Sequence, residues 1–469
     1  MRLTANAARA LLATMTVLAL APGPSARSAL GPRYGGELRI AVAEAATTVE
    51  PSLPRGLADR ILAGLVHETL LGVDDEGRPR PGLAQSWASA AEGREWTLRL
   101  APATFHDGAP VGAADAVRGL RRFLRTDSVA AAHLARVLEG GDEYRRRSSE
   151  AVAGLSAVDE SRLVLRFRLP TAVPLAPLAS PAAAVVSARG AGAGPFVPTT
   201  PPSARGVSAT AFGRHVRGRP FLDVVRLIAA PTERAARFEG AAADVTPAAP
   251  PLPPATGLLL LLLDPAAPPL ADGGLRALIA ASVDRAQLAR HFLPGGEPAD
   301  ILLGPTLLPP LPVPPARAAA APAAVTGRVA LKVASDVPQS ASQRVVAHLT
   351  ALGLEVQAVA VPAAATAPGQ PRLIVWYPEV AEAGLALEEL AALAGSSAQI
   401  RSALEAADSV RDFDRRRAEL QRIEETLRAA HVLVPLARVP LPLGARSGVH
   451  ALRATASGAL VVENAWVEP

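Results

Sequence analysis

Apolar and polar residues alternate at Leu38, Ile40 and Val42, which predicts a strand over 35–45 with one buried face. The period then lengthens. Ile61, Leu62, Leu65, Val66 and Leu70 recur at helical spacing and predict a helix over 57–71. A turn-rich crossing at 72–87 leads to "EWTLRLAP" (95–102), a strand alternating at Trp96, Leu98 and Leu100. The spacing over 112–126 predicts a helix with Asp115 near its start, where a carboxylate suits the positive end of the dipole. "RLVLRFRLP" (162–170) is the clearest strand, with Leu163, Leu165, Phe167 and Leu169 on one face and Arg166 and Arg168 on the other.

The second half reads as strands alternating with helices. "DVVRLIA" (223–229) is a short strand, and "LLLLLL" (258–263), closed by Asp264-Pro265, suits a strand buried on both faces. One helix is predicted over 273–293. "LPPLPVPPARAAAAPAAVTG" (308–327) reads as a loop or linker. The segments 328–335, 340–353 and 354–361 form a strand–helix–strand unit of the kind that makes parallel pairs. "PRLIVWYP" (371–378) is a buried strand, and 413–430 carries Leu420, Ile423, Leu427 and Ala430 on one helical stripe. Strands at 431–439 and 458–467 end the chain. The class is α/β with mixed sheets flanked by helices, without a tandem repeat.

Composition narrows the function. The 469 residues allow two or three domains with sizeable cores. Positive charge is nearly all arginine, Lys332 being the one lysine, and the net charge of +5 includes several arginines near the N-terminus. No basic stripe emerges, and aromatic residues are scarce, so a nucleic-acid partner is not expected. The absence of cysteine excludes disulfides, thiol catalysis and thiolate metal sites. Arg2 and Arg9 followed by "ALLATMTVLALA" (10–21) and "PGPSARSA" (22–29) read as a secretory signal over 1–29. With no cysteine to carry a lipid anchor, a free periplasmic protein is expected.

The chemistry candidates are few. "PATFHDGAP" (102–110) sets His106 beside Asp107, but neighbours on a strand point to opposite faces, and Asp-Gly before Pro110 is a turn signal. "GAGAG" (190–194) lacks the Lys and Ser/Thr of a phosphate cradle, and Pro195 follows it, so a tight crossing is expected. The histidines are scattered without metal-ligand spacing. No catalytic residue, metal or cofactor is expected. Trp376-Tyr377, followed by Pro378-Glu379, floors a pocket or fills a core; the residues alone leave both open.

The order of these pieces resembles the family 5 extracellular solute-binding proteins, the dipeptide/oligopeptide-binding components of ABC importers. The resemblance runs through "YGGELRIAV" (34–42), "VHETLLGVDDEGRPRPGLAQSW" (66–87), "WTLRLAPATFHDGAPVGAADAV" (96–117), "AGAGPF" (191–196), "GRPFLDVVRL" (218–227), "FEGAAADV" (238–245) and "LRALIAASVDRAQLA" (275–289). It implies a two-lobed periplasmic binding protein fold, type II-like, whose large N-terminal lobe carries an extra subdomain. Lobe I would span 30–256 with 440–469 returning to it, and lobe II 257–439. The chain would cross a hinge near Pro251–Gly257 and again near Val439–Leu443.

The implied function is capture of a peptide-like small solute and its delivery to an ABC permease in the inner membrane by a monomer. In peptide-binding members a carboxylate shortly after a tryptophan-bearing strand pairs with the ligand's free amine, which makes Glu379 the candidate anchor. Trp376, Tyr377, Glu44, Thr47 and Thr48 are further pocket candidates. The chain departs from the family pattern at Ala114 and Asp264, and its segments at 309–325 and after Glu379 are short and rich in alanine. A ligand sensor or envelope scaffold with a decayed pocket is the alternative, and an exported hydrolase would need a nucleophile–base pair that the sequence does not reveal.

Overall fold

Six consecutive leucines need a place where both faces of a strand are covered, and the chain supplies one. In the computed structural model, Leu258 to Leu263 are each at most 1% exposed. The strand Gly257–Leu262 lies between Leu433–Val439 and Arg372–Trp376, antiparallel to both. Gly327–Ala334 and Leu354–Val361 extend this sheet as a parallel pair, and Glu297–Pro298 closes its other edge. The helix Gln339–Ala351 joins the parallel pair, as its spacing predicts. The core around this sheet draws its buried residues from between Leu258 and Val439.

The structure describes residues 31–52, 56–74, 76–169, 171–230, 243–252, 257–311, 325–362 and 369–468. The expected signal segment, residues 253–256 of the first expected hinge and most of the 308–327 linker lie outside the described residues.

A second six-stranded sheet is built on Glu37–Val42, which runs parallel to Val224–Ala229. Leu38 and Ile40 are fully buried against Leu62 and Leu65 of the helix Leu57–Val66. The chain's end returns here: Gly444–Ala445 pairs antiparallel with Val245–Pro251, and Leu441, Leu443 and Leu460 join the same core. A third, four-stranded sheet runs Ala84–Ala90, Glu95–Leu100, Arg162–Arg166, Leu155–Ala157. Its core packs Phe105, Phe123, Leu163 and Phe167, and Val380 and Leu385 reach into it from far along the chain.

The structure corrects several expectations. The helix expected over 273–293 is two, Gly273–Ser282 and Arg285–Phe292. The break falls at Asp284, whose carboxylate accepts from the Gln287 N–H and caps the second. The crossing at 72–87 contains strands Leu71–Val73 and Pro79–Pro81 and the start of Ala84–Ala90, whose mostly exposed face hides it from a pattern reading. Leu169 does not share the buried face of its strand; it is 48% exposed, beyond the end of the ladder at Arg166. The helices Ala383–Leu393 and Ala398–Asp408 occupy the stretch read as short and alanine-rich. The closing strand at 458–467 is only two short pairs, Leu460–Val461 and Trp466–Val467.

Leu260→Ala removes a fully buried side chain from the central strand, with both neighbours packed against it. A loss of about 2–5 kcal/mol is expected, read as a lower denaturation midpoint at unchanged m-value.

Candidate functional site

A cavity of about 1150 Å³ opens beside the end of the tryptophan-bearing strand. That volume suits a ligand of several residues or a compact small molecule. Its wall includes residues of the helix Leu57–Val66, the segment Arg122–Val129, the tetrad Trp376-Tyr377-Pro378-Glu379 with Glu389, and the C-terminal segment Thr455–Glu463.

Register places the tetrad. Trp376 stands opposite Leu258, the last pair between the two strands, so the chain leaves the sheet there. Pro378, which has no N–H, cannot continue the ladder. The Tyr377 ring is slotted between two glycines. A Cβ on Gly257 or on Gly458 would lie 2.7 Å from ring atoms, and Gly458 also holds a φ of +71°.

Glu379 then enters the cavity. Its carboxylate accepts hydrogen bonds from the Ser128 hydroxyl at 2.7 and 2.9 Å and from the Ser180 hydroxyl. Ser128 is also the N-cap of the helix Val129–Val137, accepting from the Ala131 N–H at 3.0 Å, so the carboxylate sits at that helix's positive end. Among the described residues, Glu379 forms no ion pair. A second carboxyl stands beside it: Glu389 accepts from the Glu379 backbone N–H at 2.8 Å and from the Trp376 indole N–H at 3.2 Å. Burial and then the charge of Glu379 push the Glu389 carboxyl well above the usual carboxylate range. Among the described residues neither of these two hydrogen-bonded carboxyls has a basic partner.

Two arginines of the wall are already paired. Arg217 donates to Glu68 and to Glu463, each at 2.6 Å, and Arg122 pairs with Glu50 at 3.1 Å. Trp376, Tyr377 and Glu379 therefore come together on the cavity as a group. Glu44, Thr47 and Thr48 do not border it. The backbone N–H groups of Thr47 and Thr48 donate to one oxygen of Asp59, at 2.6 and 3.1 Å, and the Thr47 hydroxyl donates to the other. This fastens the loop after the first strand to the helix Leu57–Val66. Sequence reading missed Ser128, Ser180, Glu389 and Arg60. Only Ser128 carried a usable signal, a serine immediately before an apolar helical run.

His106 and Asp107 part company as expected. His106 Nε2 bonds the Gly194 carbonyl at 2.9 Å, while Asp107 accepts from the Ser187 hydroxyl at 3.0 Å and the Ala109 N–H at 3.1 Å. Gly108 takes a φ of +86° and the turn closes there. Gly192 and Gly194 lie against the backbone of Val66, where a Cβ would come within 2.0 and 2.6 Å, so "AGAGPF" is a tight crossing.

Beside the cavity, a buried polar cluster ties the helix Val129–Val137 to the two alanine-rich helices. Glu388 accepts from Arg136 at 2.7 Å and bonds His133 Nδ1 at 3.0 Å; Asp408 lies 3.6 Å from His133 Nε2 and accepts from the Thr171 hydroxyl at 2.9 Å. Burial alone pulls the His133 pKa down. The Glu388 hydrogen bond, then the charges of Glu388 and Asp408, outweigh it and raise the pKa above 6.5. Burial raises the Glu388 pKa, and His133 and Arg136 together bring it below the ordinary value.

The signs differ. A raised histidine pKa contributes stability that is complete below its unfolded value and fades as pH rises through the folded one. A depressed glutamate contributes stability that fades as pH falls through its folded value. Both are present between the ordinary Glu and His values. Chemical denaturation of His133→Gln and of the parent at mildly acid and mildly alkaline pH should show a loss that is larger on the acid side. A loss independent of pH would remove the charge from the explanation.

More than half of the chain, residues 78–327, matches the family model described as bacterial extracellular solute-binding proteins, family 5 Middle. No curated protein matches the sequence. The fold is similar to that of the Escherichia coli murein tripeptide binding protein MppA, at 17% identity and a TM-score of 0.80 over 92% of this chain and 98% of that one. Burkholderia pseudomallei OppA gives 15% identity and 0.78, over 94% and 100%. Helicobacter pylori DppA, an ABC transporter-associated periplasmic binding protein in complex with the peptide STSA, gives 15% and 0.73, over 93% and 99%. The architecture is the two-lobed α/β fold of these proteins.

Proposed function

The chain belongs to the family 5 bacterial extracellular solute-binding proteins, and on that premise we propose that it captures a short peptide-like solute between two lobes and delivers it to an ABC permease. The observation that carries the reading is Glu379: a carboxylate on the cavity wall, hydrogen-bonded by Ser128 and Ser180, flanked by Glu389 and, among the described residues, without a cation of its own. An ammonium group of the ligand supplies the missing charge, and in a cavity shielded from water that charge-assisted contact is among the stronger ones available. The STSA peptide of the Helicobacter relative and the murein tripeptide of the Escherichia relative belong to the same chemical class.

Lobe I comprises 30–256 and 440–469, and lobe II 257–439. The core confined to Leu258–Val439 and the return of Leu441, Leu443 and Leu460 to the first-sheet core favour that division. The hinge is the pair of crossings between them, and closure about it reports occupancy to the permease. The protein acts as a monomer in the periplasm after loss of residues 1–29, and it binds without catalysis. Trp376 and Tyr377 floor the site.

Calorimetric titration of the purified protein with di-, tri- and tetra-alanine tests the anchor. At least one should bind, N-acetylation should abolish most of the affinity, and Glu379→Gln should weaken binding by about 30-fold or more. Equal binding of the acetylated peptides, or an unaffected Glu379→Gln variant, would overturn the assignment of Glu379.

A further inference from the structure

A second pole of the cavity is built around Arg60. Its guanidinium lies over the Tyr377 ring, 5.2 Å from the centroid, and borders the cavity. Among the described residues it forms no ion pair, and its buried Nε has no hydrogen-bond partner there. The Tyr377 hydroxyl is buried and equally unpartnered. So is Asp336 Oδ1, in the turn after the strand Gly327–Ala334. Asp336 is within electrostatic reach of Arg60 but beyond ion-pair contact. A buried polar atom left without a partner costs roughly 1–3 kcal/mol, so two donors and one carboxyl oxygen unpartnered in one neighbourhood call for an explanation.

We propose that Arg60 and the Tyr377 hydroxyl form the anion-binding pole of the cavity, and that the ligand places a carboxylate there. The donor set fits. A guanidinium offers parallel N–H groups to two oxygens, and a phenol adds a third donor. The local charge selects a monoanion. One guanidinium supplies a single positive charge, and Glu44 is close enough to act on Asp336, so a dianionic phosphate meets too little compensation. Burial and then Glu44, acting against Arg60, raise the Asp336 pKa, which lowers the negative charge facing the anion and leaves Asp336 able to donate.

The pole is rigid by construction. Tyr377 is held by Gly257 and Gly458, and Arg60 is carried by the helix Leu57–Val66 with its guanidinium already over the Tyr377 ring. Together with Glu379, the site selects a short zwitterion carrying an amine and a carboxylate. This deepens the peptide-like reading of the cavity and rests on it, whereas the anion pole itself is separable.

Two measurements on the purified protein test it. The first is the melting temperature in acetate, chloride and phosphate at matched ionic strength. A ligand held by the native state raises it, so acetate should exceed the other two in the parent and lose its advantage in Arg60→Gln and in Tyr377→Phe, with circular dichroism showing that the variants fold. The second is titration with di-, tri- and tetra-alanine and their C-terminal amides. Amidation should cost roughly 10- to 100-fold, and Arg60→Gln should erase that difference.

An acetate response dependent on Arg60 without binding of any alanine peptide would uphold the pole and overturn the peptide reading. Peptide binding indifferent to amidation, with no acetate response, would do the reverse. Phosphate exceeding acetate through Arg60 would overturn the carboxylate assignment, and identical behaviour of parent and Arg60→Gln would overturn the pole.

Discussion

The strand Gly257–Leu262 must be covered on both faces and both edges, because its five adjacent leucines leave no side that can meet water. Satisfying it fixes the neighbours on either side, and with them the register that sets Trp376 opposite Leu258. A slip of one residue would turn every side chain of Arg372–Trp376 over and withdraw the tetrad that follows. Pairing also ends at that point, so Tyr377, Pro378 and Glu379 emerge together from the sheet. This part of the cavity wall is thus a consequence of how an apolar strand is buried, and the ring of Tyr377 packs against Gly257 of the same strand.

Around the cavity, charge is handled in two ways. Some wall charges are neutralised in place, as in Arg217 between Glu68 and Glu463 or Arg122 with Glu50. Glu379 and Arg60 are not. Each is oriented by protein contacts, two hydroxyls for the carboxylate and an aromatic face for the guanidinium, and among the described residues neither has a counterion. Leaving charges of opposite sign unpaired in one cavity is costly unless a ligand completes both. The polar cluster of His133, Glu388, Arg136 and Asp408 nearby has the opposite character, closed upon itself and buried, and it holds the helices that carry Ser128 and Glu389.

Expectation and structure part at identifiable places. Periodicity located the strands at 37–42, 95–100 and 257–262 and the strand–helix–strand unit, since each has a face committed to a core. It failed on Ala84–Ala90, where most side chains are exposed, and on Ala383–Leu393, where alanine blurs the contrast between faces. The long helix at 273–293 broke because Asp284 caps a new one, a local signal outweighed in the reading by continuous helical spacing.

The residues by themselves determined the class, the family resemblance, the turn at Asp107-Gly108 and the candidacy of Trp376, Tyr377 and Glu379, because each of these is written within a few consecutive positions. Thr47 and Thr48 show the limit: adjacent to the right strand, they spend their N–H groups on Asp59 and do not border the cavity. Ser128, Ser180, Glu389 and Arg60 meet the tetrad only through the tertiary fold, 251 residues apart in the case of Ser128 and Glu379. No local pattern encodes such a contact. It exists because burial of separate apolar surfaces brings the polar residues at their margins face to face.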